Sequence, residues 1–154
     1  MTNIEKALAL INTFATGDTE KATSLLAEGY IQHNLAYGTG RDAFVGSVAW
    51  LASAPVKTTV QNIRAFKDGD KVFLQTVYNF AGAGEQVAFD IFRFDADGMI
   101  AEHWDNLAAK ADPTPPVTPR STVRLRSRTS IRKRPAGSLR ALWATCFAGR
   151  IRIS

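Results

Sequence analysis

The apolar period of this chain changes at Pro55, and that change constrains the fold more than any other feature of the sequence. Before it, Ile4, Leu8, Ile11 and Phe14 recur at helical spacing up to Gly17, behind a Thr2/Glu5 capping-box pattern. Asp18 can cap a second helix with Ala22, Leu25 and Leu26 on its apolar side and Gly29 as its left-handed stop, after which Tyr30 to Asn34 leave the helix. After the Gly38-Thr39-Gly40 turn, Phe44, Val45, Val48 and Leu51 predict a third helix to about Ala54, where Pro55 ends it.

From Val56 the runs 57–66, 71–80, 86–94 and 99–108 are rich in Val, Ile, Phe, Tyr and Thr and read as four strands. Asp68-Gly69 and Asp97-Gly98 mark tight turns and Ala81 to Glu85 a looser one, so consecutive strands can pair antiparallel as a meander. The predicted class is α+β, with N-terminal helices packed on an antiparallel sheet. Alternation from Val87 to Phe94 puts Val87, Phe89 and Ile91 on one face and Ala88, Asp90, Phe92 and Phe94 on the other. Both faces are largely apolar, and three helices can cover only one. A second copy is the simplest cover for the other, which predicts a homodimer through the sheet.

A chain of 154 residues with 45% hydrophobic composition supports one ordinary domain. No apolar run approaches membrane-spanning length, and the start of the chain lacks a basic stretch followed by an apolar one, so a cytoplasmic protein with no membrane partner is expected. The lone Cys146 can form no intrachain disulfide, and no zinc-finger spacing occurs. The net charge of +5 hides a division: all fourteen acidic residues lie at or before Asp112. Nine Lys/Arg against those fourteen leave residues 1–112 at −5, while the other ten Lys/Arg leave residues 113–154 at +10. The domain is therefore placed at 1–112. The segment from Pro113 is rich in Pro, Ser, Thr and Arg and holds no apolar period before Leu139, so it reads as a basic tail outside that domain. It would serve as a nucleic-acid arm or anionic-membrane contact only if native; the favoured readings are a disordered tail or a shifted reading frame of a GC-rich gene. An intact frame, with the same tail in relatives, would dispose of the frameshift.

The chemistry-bearing candidates fall in Ile100-Ala101-Glu102-His103-Trp104-Asp105, where strand alternation sets His103 and Asp105 on one face and Glu102 and Trp104 on the other. A carboxylate partly removed from water suits a base that takes a proton α to a carbonyl, and a neighbouring imidazole could orient it or donate to the developing enolate. The only other histidine lies in Tyr30-Ile31-Gln32-His33-Asn34, where it could reach a pocket mouth. Blander roles exist for each: His103 and Asp105 could simply satisfy one another, His33 and Asn34 could cap a turn, and Trp104 could be core or interface. Asp90, flanked by Ala88 and Phe92, needs a partner. A metal held by His33, His103, Asp105 and Asp90 has no ligand spacing to support it, so no metal is expected.

These segments, together with Phe89-Asp90-Ile91-Phe92-Arg93, resemble the SnoaL-like proteins of the nuclear-transport-factor-2-like superfamily over roughly residues 3–110, in the branch described as predicted aldol-condensation-catalysing proteins. The resemblance implies a cone-shaped fold and, for polyketide cyclases of the group, acid/base aldol closure by a pocket Asp or His without metal or organic cofactor. Position by position, it implies that His33, His103 and Asp105 line the cavity as catalytic candidates, with Tyr30, Asp90, Asn34 and Trp104 as candidates for substrate contact. Three functions follow as expectations: a cyclase or isomerase acting on a small enolisable carbonyl compound, a noncatalytic domain binding a small molecule, and a nucleic-acid binder acting through the tail.

Overall fold

The structure, a computed structural model, describes residues 1–111. The basic segment 113–154, and with it every expectation placed on that tail, lies outside the described residues. Helix α1 (Asn3–Thr16) opens with Thr2 and Glu5 each bonded to the other's backbone N–H, the full capping box. It stops at Gly17, whose φ of 76° is left-handed and whose missing Cβ lets Ala52 approach closely. Asp18 caps α2 (Thr19–Leu25) through the Lys21 N–H, and α3 (Arg41–Ser53) ends two residues before Pro55, with Ala54 as its C-cap. Among the described residues, no helix is long and apolar enough to cross a membrane.

The sheet has one strand more than the apolar runs predict. α2 ends at Leu25, and β1 (Leu26–Gln32) follows with no intervening loop. Gly29 is therefore no helix stop: its φ is not left-handed, and it sits inside the strand where the register shifts between Leu26 and Ile31. The remaining strands, β2 (Thr59–Asp68), β3 (Lys71–Asn79), β4 (Gln86–Phe94) and β5 (Ile100–Ala109), fall where the sequence places them. They form the antiparallel meander, but β1 adds to β5 in parallel, so the sheet is mixed, in the order β1-β5-β4-β3-β2. Register shifts in β1, in β2 at Asn62/Arg64 and in β4 at Arg93/Phe94 bend the strands, and the curled sheet with its helices is an α+β cone.

One core fills the space between the helices and the inner face of the sheet. Leu10, Ile11 and Val48 meet Leu74, Phe92 and Ile100 there, all fully or almost fully buried. On β4 the inner set is Ala88, Asp90, Phe92 and Phe94, while Phe89 on the outer face is 58% exposed. Asp90 is therefore a carboxylate in the apolar layer, and what surrounds it defines the site.

Candidate active site

Strand pairing concentrates the chemistry. Asp90 on β4 lies directly opposite Asp105 on β5, and Phe92 opposite His103, all on the inner face. Like charges opposite one another across a sheet are destabilising, so this pair needs compensation. His103 supplies part of it: its Nε2 stands 3.2 Å from Asp90 Oδ1 and 3.8 Å from Asp105 Oδ2. The side chains of Asp90, His103 and Asp105 are only 4%, 4% and 5% exposed. Phe92 stacks on the imidazole at 4.2 Å and 13°, fixing its plane.

Polar side chains of neighbouring elements complete the network. Tyr78 on β3 donates to Asp90 Oδ2 at 3.1 Å. From β1, the Gln32 amide Nε2 lies 3.1 Å from His103 Nδ1 and 3.2 Å from Asp105 Oδ2, and just beyond the strand Asn34 Nδ2 donates to Asp105 Oδ1. Turning the Gln32 amide would set its carbonyl oxygen against the Asp105 carboxylate, so its NH2 faces both groups. Nδ1 of His103 is then an acceptor, and the imidazole proton sits on Nε2, directed at Asp90. The Tyr30 hydroxyl is buried without a hydrogen-bond partner. Burial first, and then the charges of Asp105 and Asp90, raises the Tyr30 phenol well above the ordinary tyrosine range. Tyr78 is raised by burial and then by Asp90. Tyr37, 41% exposed, is raised by burial and by both carboxylates. All three phenols thus stay protonated at neutral pH and can act as donors.

Oxygen and nitrogen atoms of Asp90, His103 and Asp105 come within 4.8 Å of one another, as a metal's ligands would. A metal between the carboxylates would need the Nε2 lone pair, which moves the imidazole proton to Nδ1 and turns it toward the Gln32 NH2, donor against donor. The residues present suit a proton network, and no step is assigned to a metal.

The structure brings Asp105, His103, Asp90, Asn34 and Tyr30 together on the inner face and places His33 and Trp104 elsewhere. The expectation that His33 lines the cavity fails for a simple reason: Gln32 points inward, so His33 points out. On the outer face His33 stacks on Trp104 at 4.4 Å and 3° and bonds Glu102 Oε2 at 2.8 Å. Arg93 Nε holds the other Glu102 oxygen at 2.6 Å. Trp104 therefore contacts this surface network and not the buried cluster. Gln32, Tyr37 and Tyr78 carry no motif that singles them out in the sequence. Had 26–32 been read as a strand, two-residue alternation would have grouped Tyr30, Gln32 and Asn34 and set His33 apart.

Residues 7–103 match the family model of the SnoaL-like domain. By sequence, no curated protein matches the chain. Among solved structures, TsrD from Streptomyces laurentii is similar at 19% identity and a TM-score of 0.57, with 67% of this chain and 85% of that one covered. IdmH from Streptomyces antibioticus, described as a candidate polyketide cyclase, is similar at 22% identity and 0.58, over 70% of this chain and 92% of its own. An LEH-like epoxide hydrolase from M. tuberculosis is similar at 17% identity and 0.60, over 69% and 82%. At these identities the likeness establishes the cone.

Proposed function

This chain belongs to the SnoaL-like domain family, and from that premise we propose that it is an acid/base enzyme acting on a small enolisable carbonyl compound, by aldol-type cyclisation or isomerisation. The observation that carries the reading is the pair of opposed, buried carboxylates around His103, beside a buried hydroxyl with no partner. A folded chain that needed only stability would fill these positions with apolar residues, because buried charges cost more than they return unless fully paired.

In this reading Asp105 is the general base. An ionised carboxylate offers about four acceptor positions, and the amides of Gln32 and Asn34 use two while holding it in place. The substrate's α C–H bond breaks, the proton passes to Asp105, and the electron pair moves onto the carbonyl oxygen. Tyr30 donates to that oxygen as its charge grows, an interaction stronger in the transition state than in the ground state. The enolate then attacks a second carbonyl carbon of the same molecule, whose π pair becomes an alkoxide that takes the proton back from Asp105, or, in an isomerisation, the enolate takes that proton back from Asp105 at another carbon. His103, hydrogen-bonded to Asp90 and Gln32, acts as a positioning residue: it fixes the Gln32 amide that in turn holds the base. IdmH's description as a candidate polyketide cyclase supports this class of chemistry by analogy of fold alone.

A second reading is a binding domain of the same fold. It is favoured by the fact that Asp90, His103 and Asp105 all find hydrogen-bond partners within the chain. NMR-detected exchange of α-protons for deuterium in small ketones and β-dicarbonyls separates the two. The enzyme reading expects exchange by the wild type and its loss in Asp105→Asn. Saturable binding with no exchange from any compound would leave the binding domain.

A further inference from the structure

The Asn34 side chain is used at both ends. Its Oδ1 accepts the Ala36 N–H at 3.1 Å and caps the single 3₁₀ turn Leu35–Tyr37, while its Nδ2 donates to Asp105 Oδ1. Each contact fixes the other, because turning the amide would set oxygen against carboxylate and NH2 against an N–H. Capping alone does not call for this residue type: Asp and Ser serve an N-cap as well, and the donor at Nδ2 is what Asn adds. A lone 3₁₀ turn is too short to hold its own shape. A backbone bond from the Tyr37 N–H to the Asn34 carbonyl closes it at 3.2 Å. Gly38 and Gly40 follow with φ of 74° and 93° and ψ of 170° and 156°, a region that is essentially glycine's alone. Nothing lies within 4 Å of a Cβ placed on Gly40, so backbone conformation and not crowding calls for glycine there. Between them Thr39 returns the chain to β1, its hydroxyl accepting the Gln32 N–H at 3.2 Å. Tyr37 at the tip is 41% exposed, yet burial and then the charges of Asp105 and Asp90 raise its phenol.

We propose that Asn34 is a positioning residue for two groups at once: it holds Asp105 and, through the cap, sets the tip residue Tyr37, so that the turn and the carboxylate move as one unit. The proposal rests on the acid/base reading only in calling Asp105 the base; the tie itself needs no turnover. Displacing the turn drags the Asn34 amide and takes from Asp105 one of the two amides that hold it. Moving Asp105 removes the partner that keeps the Asn34 amide turned to its cap, and the two glycines then let the tip swing. A ligand that presses on Tyr37 therefore acts on Asp105 without touching it.

A double-mutant cycle on the full chain tests the tie. The chain has three tyrosines, Tyr30, Tyr37 and Tyr78, so 3-fluorotyrosine labelling gives three fluorine resonances, and Tyr37→Phe assigns that of Tyr37. Asp105→Ala removes the acceptor, and Asn34→Ser keeps a capping oxygen but is too short to reach Asp105. Asp105→Ala should shift the Tyr37 resonance in the otherwise wild-type chain, and that shift should fall by about half or more in the Asn34→Ser background, where only the direct effect of the lost group persists. No shift in the first background, or an equal shift in both, would overturn the proposal. Asp105→Leu, apolar and of similar shape, carries the cycle if Asp105→Ala does not fold. Asn34→Ser should also melt above Asn34→Ala, which has no cap; equal melting would overturn the cap as the link. Exchange of α-protons in the same ketones and β-dicarbonyls should fall by about tenfold or more in Asn34→Ser, because the base is no longer held at both oxygens. Unchanged exchange would overturn the positioning of Asp105. Coupling in the cycle with no exchange by the wild type would uphold the tie and overturn the base assigned to Asp105.

Discussion

Tyr30 carries a cost that the fold does not recover. Its hydroxyl is buried with no hydrogen-bond partner, and such a group costs about 1–3 kcal/mol relative to a satisfied one. The ring itself is well placed, packed edge-on against Phe44 at 5.9 Å. Tyr30→Phe keeps that packing and deletes the orphan, so the variant should melt no lower than the wild type and up to several degrees higher. If the hydroxyl receives the substrate oxygen, carbonyl exchange should fall by about tenfold or more, the equivalent of about 1.4 kcal/mol of lost transition-state stabilisation. Thermal denaturation and deuterium uptake on the same preparation check both halves. A fall in melting temperature with unchanged exchange would make Tyr30 a packing residue. Tyr78 differs at this scale, because its hydroxyl is committed to Asp90 and has no capacity left to act on a ligand in the same way.

At the scale of elements, the joints decide both stability and what the sequence can reveal. Gly17 ends α1 with a left-handed φ, and a Cβ there would stand 2.6 Å from the Cβ of Ala52 in α3. Gly17→Ala combines backbone strain with a collision between two helices, so a loss of about 2 kcal/mol or more is expected, read as a lower urea midpoint at unchanged slope. Across the outer face, Glu102 on β5 ties His33, next to β1, to Arg93 on β4. Hydrogen bonds from His33 and then Arg93 lower the Glu102 carboxyl below its ordinary value. A carboxyl depressed in the folded state stabilises above its unfolded value, and that contribution drains away as pH falls through the folded one. Between about pH 7 and about pH 3, Glu102→Gln should therefore lose less stability than the wild type, by urea unfolding at each pH. These joints also mark what was legible. Capping signals and Asp-Gly turns are local chemistry, and they located α1, the onset of α2 and the β2–β5 meander. β1 has no such signal: Leu26-Ala-Glu-Gly-Tyr-Ile-Gln shows no alternation of apolar residues, and its strand state comes from pairing with β5, distant in sequence. Losing that strand cost the site its amide donor Gln32 and drew His33 in, whereas Asp105 and His103 were legible because their strand announces itself.

For the whole molecule, the outer face of the sheet is where large apolar side chains are left in water. The helices cover the inner face alone, yet Phe66 and Phe89 are 55% and 58% exposed, and Ile31 is 46% exposed. Phe66 is stacked on Phe73 at 5.4 Å and 11°, so the patch is ordered and not a fringe of loose side chains. Around Glu102 the charge on this face is paired within it, by Arg93 and by the His33 imidazole. An ordered apolar patch on one sheet face suits a two-fold dimer, in which each residue contact is made twice. We propose that a second copy of this chain covers it, burying on the order of 1,600 Å² in total if the interface is of standard size. Light scattering should return twice the chain mass, and the melting temperature should rise with protein concentration, because the dimer alone protects this face. Phe89 lies on β4, the middle strand of five, so Phe89→Asp places two like charges near the two-fold axis and should yield a folded monomer. The inner-face site would persist in that monomer if the cone is complete in one copy, and deuterium uptake by Phe89→Asp measures whether it is. A wild-type chain that runs at monomer mass at every concentration would remove the dimer and leave the face for a different partner.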